Sequence, residues 1–163
     1  MTFGLQTGYD HLYHKRTTHT SAQTTSTTAG GTVVLLGSQA TYEPSSSASK
    51  VVYEINFYGE RTDYAHNSYF LLEHYTSGTW SEINSANVRS SINSGSAVQS
   101  NRNAYHLRWI VPTWSGARDL RISVGSRISR PTNQQLTLHQ LTQWNGNNSS
   151  TDFADTCLII YST

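Results

Sequence analysis

The sequence predicts an all-β protein, a jelly-roll β-sandwich with an extended N-terminal arm. Short runs of alternating apolar and polar residues follow one another from residue 32 onward, separated by loops rich in Ser, Asn and Gly. Tyr, Ser and Thr are abundant, and these residues suit pleated surfaces. No segment has the period of an amphipathic helix of three turns. About eight strands with this spacing are typical of a sandwich or jelly roll.

The strongest strand signals lie in the middle of the chain. Val51–Tyr58 alternates, with Val51 and its i+2 neighbours on one face. Ala104–Val111 does the same and is ended by Pro112, which cannot donate to a ladder. Further strands are predicted at Thr32–Leu36, Tyr69–Tyr75, Trp80–Ile83, Val88–Ile92, Asp119–Val124 and Gln135–Leu141. The turn at Ser77-Gly78 makes a hairpin of the strands on either side of it.

The last predicted strand, Thr156–Tyr161, runs almost to the end of the chain. A terminal strand must be held inside a sheet, because loose chain ends fray. Its continuous apolar run indicates burial on both faces. Cys157 lies in this run, so we expect it to be a buried small apolar residue. Because it is the single cysteine, the chain forms no internal disulfide.

Residues 1–31 differ from the rest of the chain. They include the polar run Thr17–Thr28 and show no sustained strand or helix period. We therefore predict a docking arm over residues 1–31 and a sandwich domain over residues 32–163. A flexible tail without a role is the alternative. The predicted contacts of the arm with a partner are its apolar residues, Phe3, Leu5, Tyr9, Leu12 and Tyr13.

Charge and hydropathy exclude two classes of partner. Only 13% of the residues are charged and the net charge is +1, which argues against nucleic acid as a partner. No apolar run approaches the roughly 18 residues of a membrane helix, so no membrane insertion is expected. The N-terminus lacks a basic segment followed by an apolar one, so no signal peptide is predicted.

No catalytic signature is present, so we predict neither an enzyme nor a cofactor. The serines lie outside any Gly-x-Ser-x-Gly elbow, and no Gly-rich phosphate loop occurs. His11, His14 and His19 form the one local histidine cluster. No Cys or carboxylate pair accompanies it, so we predict no metal site, and whether the cluster binds metal stays open.

Aromatic residues at or near loops are the remaining candidates for recognition. Aromatic faces stack on sugars and also anchor protein interfaces. The candidates for ligand or interface contacts are Tyr64, Trp80, Trp114 and Trp144. For Trp114 and Trp144 we favour such roles over a place in the core.

The order of these strands resembles that of a known family. Ser49–Ile55 is followed by the aromatic strand Tyr69–Leu72, by Tyr105–Trp109, by Leu120–Val124 and by the apolar terminal strand. This pattern is similar to the trimeric C1q/TNF-like jelly-roll domains of bacteriophage fibre heads and head-decorating proteins. The resemblance covers roughly residues 32–163. It implies a homotrimer with the terminal strand central in the inner sheet.

The resemblance also implies a function and a location. We expect a non-enzymatic virion protein of a tailed phage, assembled in the host cytoplasm. It would decorate or cement the capsid, with its arm bound to the major capsid protein or another virion protein. A fibre head normally follows a long shaft, whereas this sequence opens at Met1 with an arm, which favours a stand-alone virion protein. The alternative is a tail-fibre or spike head for host attachment, which recognises surface glycans through its loop aromatics.

Overall fold

The computed structural model describes residues 10–25, 31–61, 67–83, 101–127, 136–144 and 149–163. These residues form β-strands, and they contain no helix that could cross a membrane. The all-β prediction is confirmed. The strands are β1 (Asp10–Thr17), β2 (Gln23–Thr24), β3 (Thr32–Val34), β4 (Ala40–Tyr42), β5 (Lys50–Arg61), β6 (Asn67–Thr76), β7 (Thr79–Glu82), β8 (Asn101–Pro112), β9 (Arg118–Arg127), β10 (Leu136–Leu138), β11 (Gln140–Trp144), β12 (Ser149–Phe153) and β13 (Thr156–Ser162).

β5 is the central strand of a six-stranded antiparallel sheet. β8 pairs with β5 along its whole length on one edge. The other edge of β5 is divided, because β13 pairs with its first half and β10 with its last three residues. β1 lies outside β13, and β2 lies outside β10. The terminal strand is therefore held inside the sheet, as predicted.

A five-stranded sheet is built in the same way around β9. β6 pairs with one edge of β9 and is followed by β7, while β3 and β4 share the other edge. At the junction of β3 and β4, the Leu35 N–H donates to the Ile122 carbonyl at 2.8 Å. The Ile122 N–H donates in turn to the Ser38 hydroxyl at 3.0 Å. These bonds continue the ladder across the gap. β11 and β12 form a separate two-stranded sheet.

The two larger sheets pack face to face as a β-sandwich. Phe57 of β5 and Phe70 of β6 meet across the layers with ring centroids 5.5 Å apart. Tyr105 of β8 stacks on Phe57 at 4.9 Å and also contacts Phe70. The inward faces that the alternation predicts are confirmed, since all their residues are buried: Val51, Tyr53, Ile55, Phe57, Tyr105, Leu107, Trp109, Val111, Leu120, Ile122 and Val124.

The predicted strand Gln135–Leu141 is interrupted. His139 has φ 66°, a left-handed conformation that breaks the ladder and separates β10 from β11. Its N–H donates to the Tyr58 carbonyl at 2.7 Å, at the point of β5 between the parts that pair with β13 and β10. His139 thus fills the junction on the divided edge of β5. The predicted strand at Val88–Ile92 lies outside the described residues.

Residues 10–17 and 23–24 are strands of the sandwich. The core-facing positions of β1 after Tyr13 are Lys15 and Thr17, so the apolar alternation that signals a strand is missing from the sequence. The Lys15 ammonium donates to the Gln39 carbonyl at 3.4 Å instead of entering the core. The division of the chain at residue 31 also concerns residues outside the described ranges and stays a prediction.

The expected burial of the terminal strand on both faces is confirmed only in part, since Tyr161 is the one buried apolar residue on its outer face. Leu158 and Ile160 are fully buried in the core, whereas Cys157 and Ile159 are half-buried on the opposite face of the sheet. The expected burial of Cys157 is therefore wrong. Its Sγ atom lies 3.3 Å from the His14 Nε2 atom on that outer face.

Two glycines allow a matched test of the packing between β13 and the β3–β4 connection. Gly37 has φ +81°, and a Cβ there would lie 2.8 Å from the Thr156 Cβ; Gly78 has φ +84° with nothing within 4 Å. Gly78→Ala should lower the free energy of unfolding by about 1 kcal/mol, the cost of the left-handed conformation. Gly37→Ala should lower it by about 1–3 kcal/mol more, because β13 must shift. Urea unfolding measures both losses, and equal losses would contradict the contact.

Candidate functional site

An apolar row crosses the outer face of the six-stranded sheet, and we call this row with its surroundings the assembly face. Tyr161, Val52 and Ile110 are register neighbours on β13, β5 and β8. The regular pairing of β1 with β13 begins at Tyr13, and Leu12 lies just before it in the irregular part of the strand, on the side opposite the inward Tyr13. Leu12 is 63% exposed and Ile110 is 51% exposed. Four adjacent strands make the row about 14 Å wide.

The charges beside this row compensate one another. The Arg108 Nε lies 2.8 Å from Glu54 Oε1, and the His106 Nε2 lies 3.8 Å from Glu54 Oε2. The Tyr161 hydroxyl donates to Glu54 Oε1 and accepts from Arg108 Nη2, each at 3.2 Å. Burial raises the pKa of the Tyr161 phenol, so it stays a donor at neutral pH. The assembly face therefore presents apolar side chains beside a paired, fixed set of charges.

An open cleft lies at the five-stranded sheet, and we call it the aromatic cleft. Its volume is about 410 Å³, a size typical of small-molecule sites. The polar atoms in its lining belong to an amide, a hydroxyl and a carboxylate, and the Thr41 hydroxyl donates to Asp119 Oδ1 at 2.5 Å. The lining residues are Tyr13, Gln39, Ala40, Thr41, Trp80, Asp119 and Leu120.

A chain of contacts holds Trp80 in place at this cleft. The guanidinium carbon of Arg121 lies 4.0 Å from the centroid of the Trp80 ring. The Arg121 Nε donates to Glu73 Oε2 at 2.7 Å, and the Ser123 hydroxyl donates to the same oxygen at 2.6 Å. Tyr75 packs against Trp80 with centroids 5.3 Å apart. The indole is therefore fixed before any ligand arrives.

Two histidine rings stack inside the protein at the junction on the divided edge of β5. The His19 and His139 ring centroids are 3.8 Å apart with an interplanar angle of 13°. The Thr156 hydroxyl lies 2.8 Å from His19 Nε2 and 3.2 Å from His139 Nδ1. The same hydroxyl lies 3.4 Å from the Leu36 carbonyl, to which it can donate while its oxygen accepts from an N–H of each ring.

Burial controls the titration of this pair. Burial, together with the smaller effect of the neighbouring His19, lowers the pKa of His139 to about 4. Burial also lowers the pKa of His19, against the opposing effect of the Asp155 carboxylate. Asp155 is itself paired with Arg16. The His139 Nε2 atom is buried and has no hydrogen-bond partner among the described residues.

The three N-terminal histidines do not converge. His11 contacts the Glu43 carbonyl at 3.2 Å, His14 contacts Cys157, and His19 lies in the stacked pair. Among the residues that the structure describes, no group of three His, Cys, Asp or Glu side chains could hold a metal ion.

The structure brings together two of the residues singled out from the sequence. Tyr13, predicted as an arm contact, and Trp80, predicted as a ligand aromatic, line the same cleft. Trp114 packs against the core, 6.3 Å edge-on from Tyr42. Leu12 lies on the assembly face. Outside the described residues or side chains are Phe3, Leu5, Tyr9, Tyr64 and the side chain of Trp144.

The sequence did not predict several residues in and beside the cleft as functional. Asp119 and Arg121 occupy outward positions of β9, a strand that is predicted from the apolar residues of its inward face. Their polar alternation was a usable signal for an outer surface, but not for a cleft. Thr41 belongs to β4, which is too short to be predicted from its pattern.

The sequence also gave no indication of the stacked histidine pair, because His139 and Thr156 both lie in predicted strands.

Comparisons with known proteins define the fold and not a family. No protein-family model matches the chain, and no curated protein matches it. With 94% of its length, the chain aligns with 38% of a chain from the structure of the infectious bursal disease virus Gt strain, at 8% identity and a TM-score of 0.51. For a chain from the structure of the Gx strain of this virus, the identity is 12% and the TM-score is 0.42. For a chain from the T13 particle of the same virus, the identity is 11% and the TM-score is 0.43.

The alignment with the chain from the Gt strain shows a shared β-sandwich architecture. The first alignment has the higher TM-score and supports the fold class, whereas the other two are too distant to add an argument. Our chain spans less than two fifths of the length of the viral chain in the first alignment.

The stacked histidine pair predicts loss of stability in acid. The pKa of His139 is about 4 in the folded protein and 6.5 ordinarily, so between these values the unfolded chain binds a proton that the folded chain does not. The free energy of unfolding should therefore fall as pH drops from 6.5 towards 4, by about 3 kcal/mol for this group.

His139→Asn tests this, because asparagine tolerates the left-handed conformation and does not titrate. Urea unfolding between pH 7.5 and pH 4.5 should give a smaller acid loss for this variant than for the wild type. Ser77→Asn is the control, because Ser77 also has a left-handed conformation and neither residue titrates, so this variant should keep the wild-type slope. An unchanged slope in His139→Asn would show that the pair does not set the acid sensitivity.

Proposed function

We propose that this chain is a non-enzymatic structural protein of a virus particle and that it assembles with copies of itself through the assembly face. The apolar row carries this proposal. Leu12 and Ile110, at the two ends of the row, are more than half exposed, whereas Val52 and Tyr161 between them are buried. Large apolar side chains exposed on one face of a sheet suit contact with another protein surface. The fold similarity to a chain of a virus structure supports the location in a virion.

A second copy of the chain fits this face better than a charged partner. Glu54 and Arg108 neutralise each other on the face, and Arg16 is paired with Asp155. Two copies can therefore approach without like-charge repulsion, and in a cyclic trimer every copy makes the same two contacts with its neighbours. The apolar row would then provide the buried centre of the interface and the charge pairs its polar rim.

The finer assignment follows the resemblance in the sequence. We propose a C1q/TNF-like homotrimer of a tailed phage, which decorates or cements the capsid and binds the major capsid protein or another virion protein. The internal position of β13 in the six-stranded sheet, between β1 and the central strand β5, supports this assignment. Because β1 begins at Asp10 within the sheet, the part available for docking is residues 1–9, with Phe3, Leu5 and Tyr9.

Ile110→Glu should abolish self-association, because it places a charge in the apolar row of each copy. Light scattering should give three times the chain mass for the wild type and one chain mass for the variant. Leu36→Glu is the matched control, since Leu36 is 48% exposed but lies in the β3–β4 connection, away from the assembly face. A monomeric wild type, or a variant with wild-type mass, would refute the assembly proposal.

Removal of residues 1–9 should leave the oligomer intact and remove its attachment to particles. The truncation spares every strand that the structure describes, so stability should change little. Co-sedimentation with particles of the source virus, first stripped of this protein, measures attachment, and light scattering on the same sample measures the oligomer. Normal attachment of the truncated protein would rule out docking through the arm.

A second candidate function is recognition of host surface glycans by a fibre or spike head. The aromatic cleft favours it, since Trp80 and Tyr13 meet there beside a carboxylate and an amide. Aromatic rings with a few converging polar groups are typical of ligand sites. Both candidate functions are compatible in one protein, because the assembly face and the cleft use different surfaces.

A further inference from the structure

We propose that the aromatic cleft binds a neutral hexose, with the sugar ring against Trp80 and two adjacent sugar hydroxyls on Asp119. This proposal rests on the second candidate function and names the ligand class of its site. The cleft volume of about 410 Å³ admits one or two sugar rings, which lie at the small end of ligands for such sites.

The lining matches the two kinds of surface that a hexose presents. The C–H face of a sugar is apolar and packs on an aromatic ring, and Trp80 and Tyr13 offer two such rings. The hydroxyls of a sugar need planar acceptors and donors. Asp119 supplies a carboxylate, Gln39 an amide and Thr41 a hydroxyl, all in the same lining.

Rigid support makes Trp80 suited to this task. Ser123 and Arg121 both donate to Glu73, whose side chain is only 15% exposed in its pair with Arg121. The Arg121 guanidinium then lies 4.0 Å from the indole centroid. A ring fixed in this way loses little conformational freedom when a ligand binds, so weak stacking is sufficient for measurable affinity.

Charge selects a neutral sugar over an acidic one. Asp119 is the one charged residue of the lining, and its carboxylate repels the carboxylate of a sialic or uronic acid. Of the cations beside the lining, Arg121 has its charge compensated by Glu73, and Lys15 donates to the Gln39 carbonyl.

The position of the cleft suits a multivalent binder. Trp80, Thr41 and Asp119 belong to the five-stranded sheet. Tyr13 belongs to β1 of the other layer but faces the core, on the side opposite the assembly face. Association through that face leaves these residues accessible. Each copy then contributes one cleft, and linked sites raise the avidity of individually weak sugar contacts.

Fluorine NMR of the full chain labelled with 5-fluorotryptophan tests the proposal, because the protein has only 4 tryptophans. Trp80→Phe assigns the Trp80 signal. The probes are methyl β-galactopyranoside, methyl α-glucopyranoside and N-acetylglucosamine, with N-acetylneuraminic acid as the acidic comparison. We expect the Trp80 signal to shift with at least one neutral probe, with a Kd of about 1–10 mM, and to stay unmoved by the acid.

Asp119→Asn and Trp80→Ala should each weaken binding by about tenfold or more. Asp152→Asn and Phe153→Ala are matched controls, since both residues are exposed on β12 and outside the cleft. They should bind as the wild type does. No shift with any neutral probe up to about 100 mM, unchanged binding by Asp119→Asn, or tighter binding of the acid would each overturn the proposal.

Two further measurements on the same samples keep the proposals separate. Light scattering reports self-association, so loss of sugar binding in an intact oligomer counts against the cleft alone. Binding of the fluorescently labelled protein to host cells reports the receptor function. Sugar binding in solution without binding to cells would retain the cleft as a hexose site and reject glycan-dependent host attachment.

Discussion

A single strand, β5, pairs with three others, and the rest of the six-stranded sheet depends on it. β8 occupies one edge, and β13 and β10 divide the other. At the junction between β13 and β10 neither strand reaches the Tyr58 carbonyl, and a buried carbonyl without a donor is costly. The His139 N–H supplies that donor in a left-handed conformation. The backbone requirement at this junction therefore places an imidazole inside the protein, where it stacks on His19.

This arrangement couples the N-terminal strand to the terminal strand. β1 pairs with β13, and the residues after β1 bring His19 to the Thr156 hydroxyl at the start of β13. Gly37 approaches the same Thr156 from the five-stranded sheet. The segment after β1, the β3–β4 connection and the junction at His139 thus all contact Thr156. Acid or a larger side chain at this point affects both layers of the sandwich.

The two layers present outer surfaces of different chemistry. The six-stranded sheet carries an apolar row with neutralised charges, which suits contact with an identical surface. The five-stranded sheet carries a supported indole beside a carboxylate and an amide, which suits a small polar ligand. The sandwich core holds these surfaces on opposite sides, so assembly and recognition do not compete.

The sequence correctly predicted the inward face of strands that have one solvent-exposed face and one buried face. Val51, Tyr53 and Ile55 alternate with polar residues, and Leu120, Ile122 and Val124 do the same, so their inward faces were correctly predicted. It failed for β1, whose inward positions after Tyr13 are Lys15 and Thr17, and at His139, whose conformation depends on a carbonyl more than 80 residues away in the chain. Of the cleft, only Trp80 was singled out as a ligand aromatic.

The sequence by itself determined the all-β class, the inward residues of the long strands and the internal place of the terminal strand, because these depend on the local period of apolar residues. The tertiary structure decided which strands share an edge of β5, that His19 meets His139, and that Tyr13 and Trp80 line one cleft. These contacts join residues far apart in the chain, and the side chains that make them are ordinary for their local strands. Only the packing of one sheet on the other brings them within reach, so no local pattern records them.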